Sequence, residues 1–311
     1  MVQENSLKNK IIVICGATCS GKSSLALALA KALNTEIISA DSMNIYKNLD
    51  IGTAKPTKQE QVEIKHHAVD IIEPFETFNV GDYREYALPI VKKLLQEGKT
   101  PIICGGTGFY INSLLYDLSY GNHPADLIVR EKYFNLAEKY GNEYVYNILY
   151  KLDAKTANLL HYNDLKRVVR ALEIAENGTK KSDICDKLTP IFNYDAYAIN
   201  FDRETLYSRI DYRVDQMIND GLVEEIKNLL SKGLTAENQC MQGIGYKEII
   251  PYINGEYSLE NAIDLIKLNT RHYAKRQITF FKKLENLQYL EPTRVETMVK
   301  RIIEQLWLQQ I

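Results

Sequence analysis

The 311-residue chain has few cysteines, five in all, and they stand at scattered positions 15, 19, 104, 185 and 240 with no Cys-x-x-Cys pair. An odd, dispersed set of this kind excludes a disulfide framework and a zinc site. Net charge is nearly absent: 38 Lys and Arg against 40 Asp and Glu leave a formal −2, so bulk charge favours no polyanionic partner. Long hydrophobic runs are missing too. Stretches such as Ile11 to Cys15 are strand-sized, far short of the roughly 20 apolar residues that span a bilayer. Prolines number only eight against 21 tyrosines, a ratio with no functional meaning of its own. The opening residues Met1 to Ser6 carry neither a basic-then-apolar signal nor transit-peptide character. What remains, 45% apolar and 25% charged, is the composition of a globular protein. The expectation is a cytoplasmic monomer with no membrane segment.

The first part of the chain alternates short apolar runs with helical stretches. Ile11–Cys15, Glu36–Ala40 and Pro101–Cys104 read as strands, and Ser24–Leu33 and Tyr83–Gln96 as helices. Short buried strands separated by helices predict a parallel sheet covered on both faces, with ligands collecting at the carboxyl ends of its strands. From about Leu118 to Leu188 the pattern is helical, over Ala125–Tyr140, Glu143–Leu152, Ala154–His161 and Asp164–Asn177. Ala196–Phe201 reads as a returning strand. From Arg203 to the end the chain reads as helical again, broken at Gly233 and near Gly255. The predicted fold is α/β, a P-loop NTPase-like parallel core (1–117 and 190–311, with C-terminal helices) carrying an all-helical insert (118–189).

Gly16-Ala17-Thr18-Cys19-Ser20-Gly21-Lys22-Ser23 matches G-x-x-x-x-G-K-[ST] in full and sits between a strand and a helix, as that motif requires. The glycines let successive backbone N–H groups converge on phosphate oxygens, and the helix that follows adds its positive end. Lys22 supplies a mobile charge and the Ser23 hydroxyl is suited to Mg²⁺. A phosphate or pyrophosphate is expected on these eight residues. The motif alone leaves open which compound binds and whether it is hydrolysed.

Asp41 ends the second strand, at the rim where this loop opens, either as a base facing an acceptor or as a turn aspartate. Gly105-Gly106-Thr107-Gly108 follows the third strand, as a close approach to a ligand or as a plain tight turn. His66 and His67 are adjacent, so in a strand they would face opposite ways and share no metal easily; they read as structural. Lys267 to Leu284 holds Lys267, Arg271, Lys275, Arg276, Lys282 and Lys283 and no acid. On a helix, Lys267, Arg271, Lys275 and Lys282 fall within roughly an 80° arc, opposite Tyr273, Phe280 and Leu284. Such a stripe suits a phosphate backbone or a solvated face. Lys166, Arg167 and Arg170 form a second basic group in the insert, so two separated patches fit an extended polyanion.

GATCSGKSS, IISADSMNIYKNLDIGTAKP, HHAVDIIEP, PIICGGTGFYINSL, HYNDLKRVVRALEI, RIDYRVDQMINDGLVEEI, QGIGYKE and YAKRQITFFK run in order from residue 16 to 282. Together they resemble the tRNA dimethylallyltransferase (isopentenyltransferase) family in its bacterial form. That resemblance implies transfer of the dimethylallyl group of dimethylallyl diphosphate to the exocyclic amine of the adenosine 3′ of the tRNA anticodon, with diphosphate released. It gives the P-loop, residues Gly16 to Ser23, to the diphosphate, with Lys22, Mg²⁺ at Ser23 and Arg213 sharing its charge. It gives Asp41 the role of general base and sets Thr107 beside the tRNA, with Arg130 as a further contact. The insert becomes the grip on the anticodon stem-loop.

The stretches implied to touch tRNA are Asp41, Ser42, Met43 and Asn44; Lys166, Arg167, Val168, Val169 and Arg170; Gln242, Gly243, Ile244, Gly245, Tyr246 and Lys247; and Lys275, Arg276, Gln277, Ile278, Thr279, Phe280, Phe281 and Lys282. The chain departs from the family pattern at Ala17, Cys19 and Ser23, where Pro, Ala and Thr are usual, and at Phe280 and Lys282, where Trp and Arg are usual. It shows no Cys₂His₂ zinc extension. An adenylate isopentenyltransferase acting on free nucleotides, and a P-loop kinase or RNA-binding NTPase, are the competing readings.

Overall fold

The computed structural model describes residues 10–118, 126–184 and 189–308. The N-terminal stretch Met1–Ser6, the expected helix start at Ala125, and Cys185 and Leu188 lie outside them. In chain order the elements are β1 (Lys10–Cys15), α1 (Lys22–Leu33), β2 (Ile37–Ser39), α2 (Lys58–Glu63), β3 (His66–His67), α3 (Val80–Gln96), β4 (Ile102–Cys104) and α4 (Gly108–Leu115). Next come α5 (Leu127–Tyr140), α6 (Asn142–Leu152), α7 (Ala154–Ala157) and α8 (Leu165–Glu176). Then β5 (Asn193–Ile199), α9 (Arg203–Asn219), α10 (Leu222–Ser231), α11 (Tyr246–Ile253), α12 (Leu259–Phe281), β6 (Leu287–Leu290) and α13 (Val295–Leu308) complete the chain. It divides into two compact units, one of residues 1–115 and 190–311 and one of residues 116–189.

The first unit is built on a parallel sheet of order β3-β2-β4-β1-β5-β6. β1 is central and buried from Ile11 to Cys15, which is why it reads as an unbroken apolar run: both faces of a parallel sheet are covered. Leu25, Leu29, Met298 and Ile302 of α1 and α13 pack against it from one side. A second cluster gathers Tyr46, Leu222, Ile226, Tyr246, Ile249 and Ile266 from the loop after β2 and from α10 to α12.

Two strands lie where the sequence reading has none. β6 falls inside the stretch read as wholly helical, and β3 is only two residues long. Both owe their state to partners far away in the chain, β6 to Ala196–Ile199 and β3 to Ile37–Ile38, so local periodicity carries no trace of them. β5 begins three residues before the expected Ala196. The helix breaks at Gly233 and Gly255 coincide with left-handed glycines, φ 95° and 79°, just past α10 and α11.

The second unit, among its described residues, is helical. Tyr133, Val145, Leu149, Val168, Val169 and Leu172 form its core. At its centre Glu173, fully buried, accepts from Arg130 Nε and Nη2 at 3.0 and 3.2 Å, from Arg170 Nη1 at 2.5 Å and from the Asp126 amide. Burial raises the pKa of this carboxyl, but the bonds from Arg170, Asp126 and Arg130 outweigh it and hold the group below the ordinary glutamate range.

Candidate active site

Three loops leave the carboxyl ends of adjacent strands β1, β4 and β2, and α9 faces the first of them. They wall a cavity of about 780 Å³ lined by Thr18, Cys19, Gly21, Lys22, Ser23, Asp41, Asn44, Gly105, Arg209 and Arg213. The loop after β1 turns through left-handed backbone at Gly16, Cys19 and Gly21, with φ of 124°, 62° and 85°. Gly21 caps α1 with no side-chain acceptor, so the first amides of the helix keep their donors for a ligand. Cys19 holds a conformation that suits glycine better, and its carbonyl accepts from Arg209 Nε at 2.8 Å. Lys22 Nζ lies 3.3 Å from the Ala17 carbonyl, so its ammonium curls over the loop. Lys22, Arg209 and Arg213 thus place three cations on one cavity. The sequence reading includes Lys22 and Arg213; Arg209, one helical turn before Arg213, is the residue it misses.

Asp41, which lines the same cavity, follows β2. Its Oδ1 accepts from the Met43 amide at 2.9 Å. Thr107 braces this turn: its Oγ1 accepts from the Ser42 amide at 3.0 Å and meets Ser42 Oγ at 3.3 Å, while its own amide donates to the Ala40 carbonyl at 3.0 Å. Burial, with the Asp41 charge, pushes the phenol of Tyr273 on α12 up to about 12, so it stays protonated.

The glycines after β4 are also pressed closely by the rest of the protein. A Cβ at Gly105 would lie 2.0 Å from the Ala40 carbonyl oxygen, one at Gly106 2.1 Å from Gln277 Nε2, and one at Gly108 2.2 Å from the Phe280 ring. The close approach is to the protein itself.

The segment Asp50-Ile51-Gly52-Thr53-Ala54-Lys55-Pro56 owes its pattern to two polar knots. Lys55, its side chain 3% exposed, pairs with Asp50 and Asp70 at 2.6 Å each and donates to the Tyr46 carbonyl at 2.7 Å. Burial raises the pKa of Asp70, but the bonds from Lys55 and Lys58 win and lower it. Glu225 of α10 takes the Asp50, Ile51 and Gly52 amides at 2.9, 2.8 and 3.3 Å and the Tyr246 hydroxyl at 2.6 Å. A run of three backbone amides is a nest for an anion, and here the anion is a glutamate 174 residues away. These knots fix the loop that lines the cavity with Thr53, Ala54, Lys55 and Pro56.

His66 lines the cavity, with Nδ1 donating to the Ile64 carbonyl at 2.7 Å, and burial lowers its pKa, so it is neutral near pH 7. His67 turns the other way, to Glu36 at 2.7 Å. Among the described residues no group of three His, Cys, Asp or Glu side chains could hold a metal ion. The donor set that fits a hard cation is the Ser23 hydroxyl with phosphate oxygens of a bound substrate and water, an arrangement that suits Mg²⁺.

Several residues expected to face tRNA are turned inward. Val168 and Val169 are core residues of the second unit; Tyr246, Gln277 and Phe281 are buried in the first. They are the inward positions of helices whose outward neighbours are charged, so a contiguous stretch of helix cannot all meet one partner. Ile244 packs partly against the same cluster as Tyr246, and Gly245 gives its amide to Glu248 at 2.8 Å. Met43 lies against Gly243, whose added Cβ would meet Met43 Cε at 2.5 Å. Arg130 is committed to Glu173 rather than left free. The basic stripe on α12 is shorter than its sequence suggests. Lys267 pairs with Asp215 at 2.6 Å and Arg271 takes Asp211 with two bonds, both acids coming from α9. Lys275, Arg276 and Lys282 stay exposed, as do Lys166 and Arg167 on α8. No helix among the described residues is long and apolar enough to cross a membrane.

A phosphate-loop sequence and a carboxylate lining one cavity at the carboxyl ends of a parallel sheet define the class: a P-loop-like α/β protein. Comparison with known proteins narrows the class. The chain matches the family described as IPP transferase over residues 44–284 and that described as isopentenyl transferase over residues 9–69. It is 44% identical to the tRNA dimethylallyltransferase of Acetivibrio thermocellus, over 94% of this chain and 95% of that one. With the enzyme of the same name from Alkaliphilus oremlandii it shares 46% over 91% of each. The tRNA isopentenylpyrophosphate transferase of Bacillus halodurans superposes with a TM-score of 0.73 at 36% identity, covering 97% of this chain and 98% of that one. A eukaryotic dimethylallyltransferase crystallised while acting on tRNA gives 0.82 at 32%, covering 96% and 77%. The chain belongs to the IPP transferase family and is a transferase.

Proposed function

We infer that this protein transfers the dimethylallyl group of dimethylallyl diphosphate to the exocyclic amine of the adenosine 3′ of the anticodon in tRNA. The observation that carries the reading is that Asp41 and the phosphate loop line the same cavity, so an acceptor amine at Asp41 and a diphosphate on Gly16–Ser23 share one space. The bond from the dimethylallyl C1 to the diphosphate oxygen breaks, a bond from C1 to N6 of the adenine forms, and the N6 proton passes to the Asp41 carboxylate. Departing diphosphate gathers negative charge, and fixed donors aimed at it lower the barrier. The loop amides other than that of Thr18, which Gln277 takes, supply them with Lys22 and Arg213, joined by Arg209 of the same cavity. Mg²⁺ on the Ser23 hydroxyl would neutralise part of the same charge.

The reacting adenosine has to leave its stack to reach a site set among three loops. Ser42 and Asn44, beside Asp41, meet the base, and Lys275, Arg276 and Lys282 hold the phosphate backbone. In the second unit Lys166 and Arg167 do the same, making residues 118–189 the grip on the anticodon stem-loop. A tRNA substrate makes this a cytoplasmic enzyme. Asp41→Ala tests the assignment: turnover collapses by about a hundredfold or more, as for loss of a general base, while tRNA affinity stays within several-fold. Near-wild-type turnover would remove Asp41 from the reaction.

A further inference from the structure

Gln277 sits on the inward face of α12, 4% exposed, with both ends of its amide hydrogen-bonded. Its Oε1 accepts from the Thr18 amide at 2.8 Å and its Nε2 donates to the Gly106 carbonyl at 3.0 Å. The orientation is not arbitrary: a backbone N–H can only donate and a carbonyl can only accept, so the side chain has one way to lie. Gly106 is shaped to receive it, since any Cβ there would fall 2.1 Å from Nε2. The two loops joined in this way have different duties. Thr18 belongs to the phosphate loop; Gly106 precedes Thr107, which braces the Asp41–Ser42 turn.

We propose that Gln277 is a positioning residue, a single amide clamp that sets the spacing between the diphosphate-binding loop and the turn that presents the acceptor. The proposal rests on the prenyl-transfer reading of the same site. It assigns Gln277 to the protein's own loops rather than to RNA. Only a side chain with this reach that accepts at one end and donates at the other can do the work. Leucine fills the space and offers neither bond. A glutamate has the reach, but its carboxylate accepts from Thr18 and repels the Gly106 carbonyl. A protonated glutamic acid accepts and donates like the amide.

That last point supplies a test that packing alone does not imitate. Each buried group left without its partner is penalised, so Gln277→Leu should lower kcat/KM for dimethylallyl diphosphate by about tenfold or more. Its affinity for tRNA should stay unchanged. Gln277→Glu should be impaired at pH 8 and should recover relative to wild type as pH falls toward 5.5. The protonated form is the competent one, and burial against a carbonyl raises the pKa of the introduced carboxyl. Binding of inorganic diphosphate, followed by calorimetry on the same proteins, should show the same loss and the same recovery without reliance on turnover. Should the leucine variant fail to fold, the pH ratio of the glutamate variant decides alone. A flat Gln277→Glu to wild-type ratio across this pH range, or a folded leucine variant with wild-type diphosphate affinity, overturns the clamp. Wild-type protein that binds diphosphate but transfers no prenyl group would instead overturn the prenyl-transfer reading, and the diphosphate measurements would still judge Gln277.

Discussion

The loops after β1 and β4 are both rich in glycine, end adjacent strands and border the same cavity, yet their glycines answer different demands. In the first, Gly16 and Gly21 adopt left-handed backbone, which bends the chain until its amides converge. Space is not the issue there: an added Cβ at Gly21 would find its nearest neighbour at 3.8 Å. In the second, Gly105, Gly106 and Gly108 need no left-handed backbone, but each is pressed by another part of the protein at 2.0 to 2.2 Å. One loop spends its glycines on conformation for a ligand, the other on closeness to itself. Composition alone does not separate the two.

Substitution with alanine should separate them. The largest effect is expected at Gly105→Ala, where the obstructing atom is backbone and cannot swing aside. Overpacking of this kind costs about 3 kcal/mol or more, and urea denaturation should show a destabilised protein whatever ligand is added. Gly21→Ala should cost only about 1–2 kcal/mol for a left-handed alanine but should abolish diphosphate binding by calorimetry. A variant stable and still binding diphosphate would erase the contrast. Gly108→Ala, pressed by the Phe280 ring rather than by backbone, should lie between the two and should be relieved by Phe280→Leu; failure of that rescue would mean the ring is not the obstacle.

The smallest effect is expected at the opposite end of β2, away from the loops. Burial raises the Glu36 pKa, but hydrogen bonds from Lys99 and His67 outweigh it and bring the group down to about 2 from 4.5. A depressed carboxyl contributes stability that is present above pH 4.5 and is lost as pH falls toward 2. Glu36→Gln should therefore flatten part of the acid limb of the stability profile and leave diphosphate binding at pH 7 untouched. An acid limb unchanged by the substitution would show that this ion pair contributes nothing measurable.

What could be read from the chain, and what could not, follows how far apart the partners lie. The phosphate loop is legible because its amides, Lys22 and Ser23 are consecutive and their function is local. The parallel core is legible because β1, β2 and β4 are buried on both faces and read as apolar runs. The segment Asp50–Pro56 announces itself by its composition, but its reason, a nest filled by Glu225 and a knot tied by Lys55 to Asp70, lies in residues that no local pattern connects to it. Gln277 and Arg209 reach the phosphate loop across 259 and 190 residues. The basic stripe on α12 loses two of its charges to Asp211 and Asp215 for the same cause: an acid on a different helix is invisible to a count along one helix.

The central claim, that donor and acceptor meet in the cavity between the phosphate loop and Asp41, is tested most directly by incubating the purified protein and Mg²⁺ with labelled dimethylallyl diphosphate. Unmodified tRNA, AMP, and tRNA with ATP would be offered in separate reactions. The account predicts label in tRNA, at the adenosine 3′ of the anticodon, with diphosphate released and no ATP consumed. Label entering AMP instead, or ATP hydrolysed with no label transferred, would contradict it.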